Sequence, residues 1–292
     1  MFEVEPNLWL QAFASPALTQ LMLAVTALGY EWFYILLVVV LAFGVRLRPT
    51  LGVLLALLLA GLATQAAKPG FQLPRPTDVD ARVLHDAAAS GALVEHGGAS
   101  GLFALPSPEA LEAIRAQPAP DYGFISGHVA GASALCLAVL LCFRIRHRGL
   151  WLALGAWPLL MALSRMYLGR HFLGDVLGGL LAGIAAACAA SALLSAPPRR
   201  AFAVLAALAL GLCALAPFTA LLDQPTLGRL AGLVVVLGVL DRRGFPDDHA
   251  SPWRRIARIA CLAATYVVVK HATDALGGAA GWSHGALAWL PL

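Results

Sequence analysis

Charge is what this chain has least of. Only 12% of its 292 residues are Asp, Glu, Lys or Arg, while 60% are hydrophobic and mean hydropathy is +0.79; soluble domains carry about 25% charged residues. That shortage excludes an ordinary soluble fold and marks an integral membrane protein. Cysteine is equally sparse as a pairing residue. Cys136, Cys142, Cys188, Cys213 and Cys261 all lie inside apolar stretches without paired spacing, so neither a disulfide framework nor a zinc site is indicated, and no metal or other cofactor is expected. A basic leader is missing too: Glu3 and Glu5 stand where a cleavable signal peptide would be positive. The net charge of +4 does not point to nucleic acid, because the arginines sit in short loops between apolar runs, where they set membrane orientation.

What is present is a series of apolar runs of membrane-crossing length. Residues 7–30 are uncharged but hold Asn7, Gln11, Pro16, Thr19 and Gln20, a pattern read as an interfacial or re-entrant helix. The next run, to Val45, is expected as the first span, ending at Arg46 and Arg48. Residues 49–67 return the chain to Lys68, and 127–143, 149–163 and 176–196 complete the set. The expected fold is therefore an all-α, polytopic transmembrane helical bundle: a core of about six helices over residues 1–198, then an extension of about three helices over 199–292, from runs at 201–222, 224–240 and 256–277. Residues 77–121 form one long polar segment with seven acids against two bases, a net of −5. Within it Ser107-Pro108-Glu109 is a helix start and Pro118 a stop. The segment is too small for a domain of its own and reads as a cover.

Alternating sides along this list puts the turns at 46–48, 144–148, 199–200 and 241–258 on one face, with twelve of the twenty Lys and Arg against three acids. The positive-inside rule makes that face cytoplasmic. Lys68, the acidic segment, residues 126–128 and residues 164–175 fall on the other, which in a bacterial inner membrane is periplasmic. Glu31, Lys270 and His271 lie near membrane depth, where ionisable groups are functional candidates by default, and no role is assigned to them; Arg229 is a charge inside the run at 224–240.

Three polar stretches stand out on that outer face. In Ser164-Arg165-Met166-Tyr167-Leu168-Gly169-Arg170-His171-Phe172-Leu173-Gly174-Asp175, the four-residue spacing would place His171 and Asp175 on one helical face, the carboxylate holding one imidazole nitrogen and leaving the other basic. Arg165 would supply positive charge for an anion. The plainer reading is a pair that merely satisfies itself. In Lys68-Pro69-Gly70-Phe71-Gln72-Leu73-Pro74-Arg75, two cations stand at a span end, either gripping an anion or snorkelling to head groups. In Tyr122-Gly123-Phe124-Ile125-Ser126-Gly127-His128, Ser126 and Gly127 open a helix whose amides can face an anion, or the histidine is there by chance.

Jointly, Lys-x6-Arg-Pro, Ser-Gly-His and Ser-Arg-x5-His-x3-Asp resemble the three-part signature of the type 2 phosphatidic acid phosphatase superfamily over about residues 60–195. Glucose-6-phosphatase and the vanadium haloperoxidases are similar in the same motifs. Ile125 departs from the proline usual before Ser-Gly-His, a change expected to touch loop geometry only. The resemblance implies that Lys68, Arg75, Arg165, Ser126 and the Gly127 amide hold the phosphate. It implies that His171 attacks phosphorus, oriented by Asp175, and that His128 serves as acid and then base, without a metal. It makes the partner a lipid phosphate or diphosphate in the bilayer. Transfer of the phosphoryl group to another lipid, and a transporter or scaffold that keeps the motif, are the alternatives; oligomeric state is not encoded.

Overall fold

The computed structural model describes residues 1–89, 91–216, 219, 221, 224–245 and 251–280, with the Lys270 side chain outside that description. The chain is helical almost throughout. Two short helices, α1 (Glu5–Gln11) and α2 (Pro16–Ala27), lead into α3 (Glu31–Val39), which continues as a π-helical stretch to Val45. The long α4 (Leu47–Phe71) is followed by a single turn, α5 (Pro76–Val79), and by α6 (Pro108–Arg115) within the polar segment. Helices α7 (Gly127–Cys142), α8 (Arg148–Tyr167) and α9 (Leu173–Ser195) complete the core, and α10 (Pro198–Leu215), α11 (Gln224–Arg243) and α12 (Pro252–Ala280) extend it.

Local chemistry sets many of these boundaries. Ser15 caps α2 by accepting from the Leu18 amide at 3.3 Å, with Pro16 at the first helical position. Ser107 does the same for α6 through Ala110 at 3.2 Å, as its Ser-Pro-Glu start predicts. Gly169 ends the α8 turn with φ +72°, and a Cβ there would meet the Leu84 carbonyl oxygen at 2.2 Å, so the turn requires glycine.

The centre of the bundle is α4, α7 and α9. Gly179 and Gly183 let α9 approach α7 at backbone distance: a Cβ would lie 2.6 Å from the Ser126 carbonyl oxygen at the first and 2.4 Å from that of Ala130 at the second. Leu51, Val53, Leu55, Leu58 and Leu62 of α4 pack with Ala130, Ala134 and Leu135 of α7 and Ala186 and Ala190 of α9. The same cluster takes in Leu205 of α10 and Leu227, Leu230 and Leu233 of α11, so the extension shares the core of the first helices. Large apolar side chains such as Leu152, Leu181, Leu210 and Val235 face outward, the pattern of a bundle whose solvent is hydrocarbon.

By length and composition α4, α8 and α9 can each cross a membrane, and α2 with the α3 stretch forms a fourth candidate bent by 55°. Where one interfacial or re-entrant helix is expected over residues 7–30, there are two helices, and Asn7, Gln11 and Thr19 turn inward to hydrogen-bond residues 166–171. The three helices expected after residue 198 are present; among the described residues α10 is a shorter apolar helix, and α11 and α12 fall short of a span. Each carries charge within it, Arg229 in α11 and Arg254, Arg255 and Arg258 in the first two turns of α12. The expected run at 201–222 also reaches residues outside the description.

Two contacts fix the arginine-rich end. Arg255 donates to the Gly44 carbonyl at 2.9 Å, and the Arg48 guanidinium lies 5.7 Å from the centre of the Phe245 ring. Toward the other end, Glu31 pairs with Arg229 at 2.6 Å, which gives one of the unassigned ionisable residues a structural partner. His271 hydrogen-bonds through Nδ1 to the carbonyl of Val267, one turn back.

Candidate active site

All eight residues singled out by the three motifs gather at the helix ends opposite the arginine-rich turns. Lys68 is in the last turn of α4, half-buried, just before Gln72 closes the helix in the left-handed region at φ 54°. Arg75 caps α5, its amide donating to Asp78 Oδ2 at 2.7 Å. Ser126 is the N-cap of α7, with Gly127 at the first helical position and His128 at the second. The Gly127 amide is thus among the first N–H groups of the helix, which have no partner within it. Arg165 closes α8, and His171 and Asp175 flank the start of α9.

The His171–Asp175 pair forms, though not as two residues of one helix. His171 precedes α9 by two positions, and Asp175 is the third residue inside it. From there Asp175 Oδ2 reaches back to accept from the Phe172 amide at 2.9 Å and lies 3.3 Å from His171 Nδ1. This is the returning half of a capping box, in which an acid in the first turn satisfies an amide at the helix start. With Nδ1 donating to the carboxylate, Nε2 carries the lone pair. Asp175 is fully buried and His171 nearly so. The Ser126 amide donates to the Asp175 carbonyl at 3.0 Å, which ties the start of α7 to the start of α9.

Burial, reinforced by the positive charges of Arg165, Arg75 and Lys68 and by His128, holds the His171 imidazole well below the ordinary histidine range. Cationic side chains surround the ring. His128 sits against the break between α2 and α3: its ring is 4.9 Å from that of Tyr30, edge to face, and a Cβ on Gly29 would meet His128 Cδ2 at 2.4 Å.

Among the described residues, the buried side-chain polar atoms without a hydrogen-bond partner are Ser126 Oγ, His128 Nε2, Arg165 Nε, Asp175 Oδ1 and Asn7 Oδ1. Four of the five belong to the motifs. Each such atom costs about 1–3 kcal/mol when left unpaired, so their concentration here is the mark of a site built to meet a polar ligand. No group of three or more His, Cys, Asp or Glu side chains among the described residues could hold a metal ion.

The polar segment lies over this end. Val79, Val83 and Ala110 pack with Phe172 beside the His171 loop. Arg170 is paired with Asp86. Arg75 uses three of its five guanidinium N–H groups within the protein: it donates to Asp121 Oδ1 at 2.7 Å, to the Asp121 carbonyl at 3.1 Å and to the Arg170 carbonyl at 3.1 Å. Burial raises the Asp121 carboxyl, but the Arg75 charge and hydrogen bond outweigh it and hold the group below its ordinary range.

Sequence reading missed the second layer. Arg165 donates to Thr26 Oγ1 at 2.8 Å, and the Asn7 amide donates to the carbonyls of Met166 and His171 at 2.8 and 3.0 Å. The signal available was a few polar residues in the uncharged stretch before Gly29, with nothing to say what they touch. Beside the site, an apolar groove of about 880 Å³ runs between α7, α8 and α9 past Leu137, Leu159 and Leu181, and reaches Phe71, Phe124 and Gly174.

The class that fold and site define is a helical membrane bundle with a buried histidine among cationic side chains at one end. The model of the PAP2 superfamily matches residues 49–200, about half of the chain, and the chain belongs to that superfamily. Membership supports the activity of a lipid phosphatase. Among solved structures, the chain is similar to LpxE of Aquifex aeolicus, with 19% identity and a TM-score of 0.50, over 65% of this chain and 94% of that one; at that identity the likeness concerns the fold. No curated protein sequence matches significantly. The matched region contains all eight motif residues and begins after α3.

Proposed function

We propose that the protein hydrolyses a lipid phosphate or diphosphate at the periplasmic face of a bacterial inner membrane, through a phosphohistidine. His171 Nε2 attacks phosphorus as the ester P–O bond breaks, while His128 gives a proton to the departing oxygen. Water then attacks the phosphohistidine, His128 takes its proton, the P–N bond breaks and inorganic phosphate leaves. Lys68, Arg75 and Arg165 stabilise the equatorial oxygens, with Ser126 Oγ and the Gly127 amide completing the cradle. Asp175 holds the Nδ1 proton and so the tautomer. With three cations and an α7 amide supplying the charge stabilisation, no step needs a metal.

The observation that carries this reading is a buried imidazole in contact with Asp175 and lying among Arg165, Arg75 and Lys68, beside Ser126 Oγ and His128 Nε2 that lack partners. The neighbouring groove supports a lipid over a soluble substrate: it ends within a few residues of Lys68, Ser126 and Asp175, and its apolar walls suit a hydrocarbon tail. The positive-inside count supports the orientation. We read residues 1–198 as the phosphatase core with 77–121 as its periplasmic cover, and 199–292 as an extension whose α11 packs on α4.

The test is phosphate release from a panel of lipid phosphates by the purified protein with a chelator present. His171→Ala is expected to abolish release while the protein stays folded; turnover near that of the wild type in this variant would refute the assignment.

A further inference from the structure

The segment ahead of the family-matched region makes a concentrated set of side-chain hydrogen bonds to one target. Asn7 donates to the Met166 and His171 carbonyls, and Gln11 to the Tyr167 carbonyl at 2.9 Å and the Leu84 carbonyl at 2.8 Å. Gln11 Oε1 accepts from the Leu84 amide at 2.9 Å. Thr19 shares a hydrogen bond of 2.7 Å with the Tyr167 hydroxyl, and Thr26 accepts from Arg165. Every one of these residues lies before residue 49, where the family match begins. Their partners fall within residues 165–171, apart from Leu84 of the cover.

Asn7 is fully buried, and its amide nitrogen bridges the end of α8 to the residue proposed as nucleophile. A backbone carbonyl held in this way fixes the loop on which the imidazole rides. Thr26 is buried as well and takes one of the Arg165 nitrogens, which sets the direction of the guanidinium while Arg165 Nε has no partner. We infer that α1 and α2 are part of the catalytic apparatus: Asn7 is a positioning residue for His171 and Thr26 is one for Arg165. This rests on the phosphatase reading above. A purely structural role, with Asn7 serving only to satisfy carbonyls at the end of α8, makes a different prediction: it would lower the unfolding midpoint and the folded fraction but leave both KM and the kcat per folded molecule unchanged.

The experiment uses the full chain in detergent micelles with dioctanoyl phosphatidic acid, reading released phosphate and, in parallel, the thermal unfolding midpoint. Asn7→Ala is expected to lower kcat about 100-fold, the cost of a displacement near 1 Å at a reacting group, with KM within about threefold. Thr26→Val is expected to raise KM about tenfold, the loss of one hydrogen bond to a charged group, with kcat little changed. Thr26→Ser, which keeps the hydroxyl, should restore KM. A shrinking folded fraction cannot raise KM, so the Thr26 pair decides the question even if Asn7→Ala unfolds. A Thr26→Val protein with wild-type KM, or a folded Asn7→Ala protein with wild-type kcat, overturns this inference alone. A wild-type protein that releases no phosphate from any lipid phosphate of the panel above, or a His171→Ala protein that still releases it, overturns the phosphatase reading and this inference with it; where another lipid of the panel is the better substrate, the variants are read on that lipid.

Discussion

Arg75 and Asp121 face each other across 2.7 Å, and the arginine gives Asp121 two of its three hydrogen bonds. A residue proposed to grip phosphate thus already holds an anionic oxygen, supplied by the end of the polar cover. The Asp121 side chain is 70% exposed, so the pair is a weak one in water and an incoming dianion can displace it.

Asp121→Asn should therefore free Arg75 and lower KM for a soluble short-chain phosphatidic acid by about two- to fivefold, the scale of an exposed ion pair. The pH dependence follows from the sign of the shift. Because the folded-state pKa is depressed, the carboxylate competes at every pH above its ordinary value of about 4. The difference between wild type and variant should be constant above that value and close only as pH falls through the lower folded value. Initial-rate curves for both proteins across pH check this; an advantage for the variant that disappears near neutrality would contradict it.

The pairing of Glu31 with Arg229 makes a prediction about the extension. Glu31 begins α3 and Arg229 lies in α11, so the 2.6 Å contact ties α11 to the first helices. Arg229→Ala leaves a carboxylate without its partner at the bundle surface and should cost about 1–2 kcal/mol in detergent. The exchange Glu31→Arg with Arg229→Glu should recover most of that loss, as measured by thermal unfolding of the two single variants and the double variant.

The three motifs are legible in the sequence because polar residues are costly in an apolar chain, so Lys68, Ser126, His128 and His171 stand out against their neighbours. The membrane class and most helix positions follow from the same contrast. What the spacing suggested about His171 and Asp175 is right about the contact and wrong about its origin, since the helix begins only after His171 and Asp175 acts as an N-terminal acid. Contacts made by tertiary approach were not legible. Arg75 and Asp121 are 46 residues apart and Asn7 and His171 are 164 apart, and no local pattern in either pair announces the other. Arg229 is visible inside the run at 224–240, whereas α12 begins at Pro252, ahead of the apolar run expected from about residue 256, and so takes in Arg254, Arg255 and Arg258.

Close packing of α7 on α9 places the start of α7, and it can be tested at one atom. Gly179→Ala would set a methyl 2.6 Å from the Ser126 carbonyl oxygen and 3.3 Å from the Ala130 amide. Backbone cannot give way as a side chain does, so the helices must part, at a cost of about 1–3 kcal/mol. Because Ser126 and His128 ride on the displaced helix, phosphate release should fall by more than tenfold in protein that remains folded at the assay temperature. Gly211→Ala in α10, where a Cβ meets nothing within 4 Å, is the control and should leave both readings unchanged.

Asp175 Oδ2 has two partners, the Phe172 amide at 2.9 Å and His171 Nδ1 at 3.3 Å, and substitutions can separate them. Asp175→Asn keeps an oxygen that can accept from the Phe172 amide, so the helix start should survive with a loss below about 1 kcal/mol. It removes the charge that stabilises the imidazole as it gains positive character, while the oxygen kept on the Phe172 amide is the same one that faces Nδ1, so the tautomer is retained. Loss of that charge alone should lower kcat by roughly 10²–10³-fold. Asp175→Ala removes both functions and should lose a further 1 kcal/mol or so of stability with no greater loss of kcat. Unfolding midpoints and kcat measured on both variants distinguish the two roles, and equal stability losses in the two variants would show that the carboxylate serves the imidazole alone.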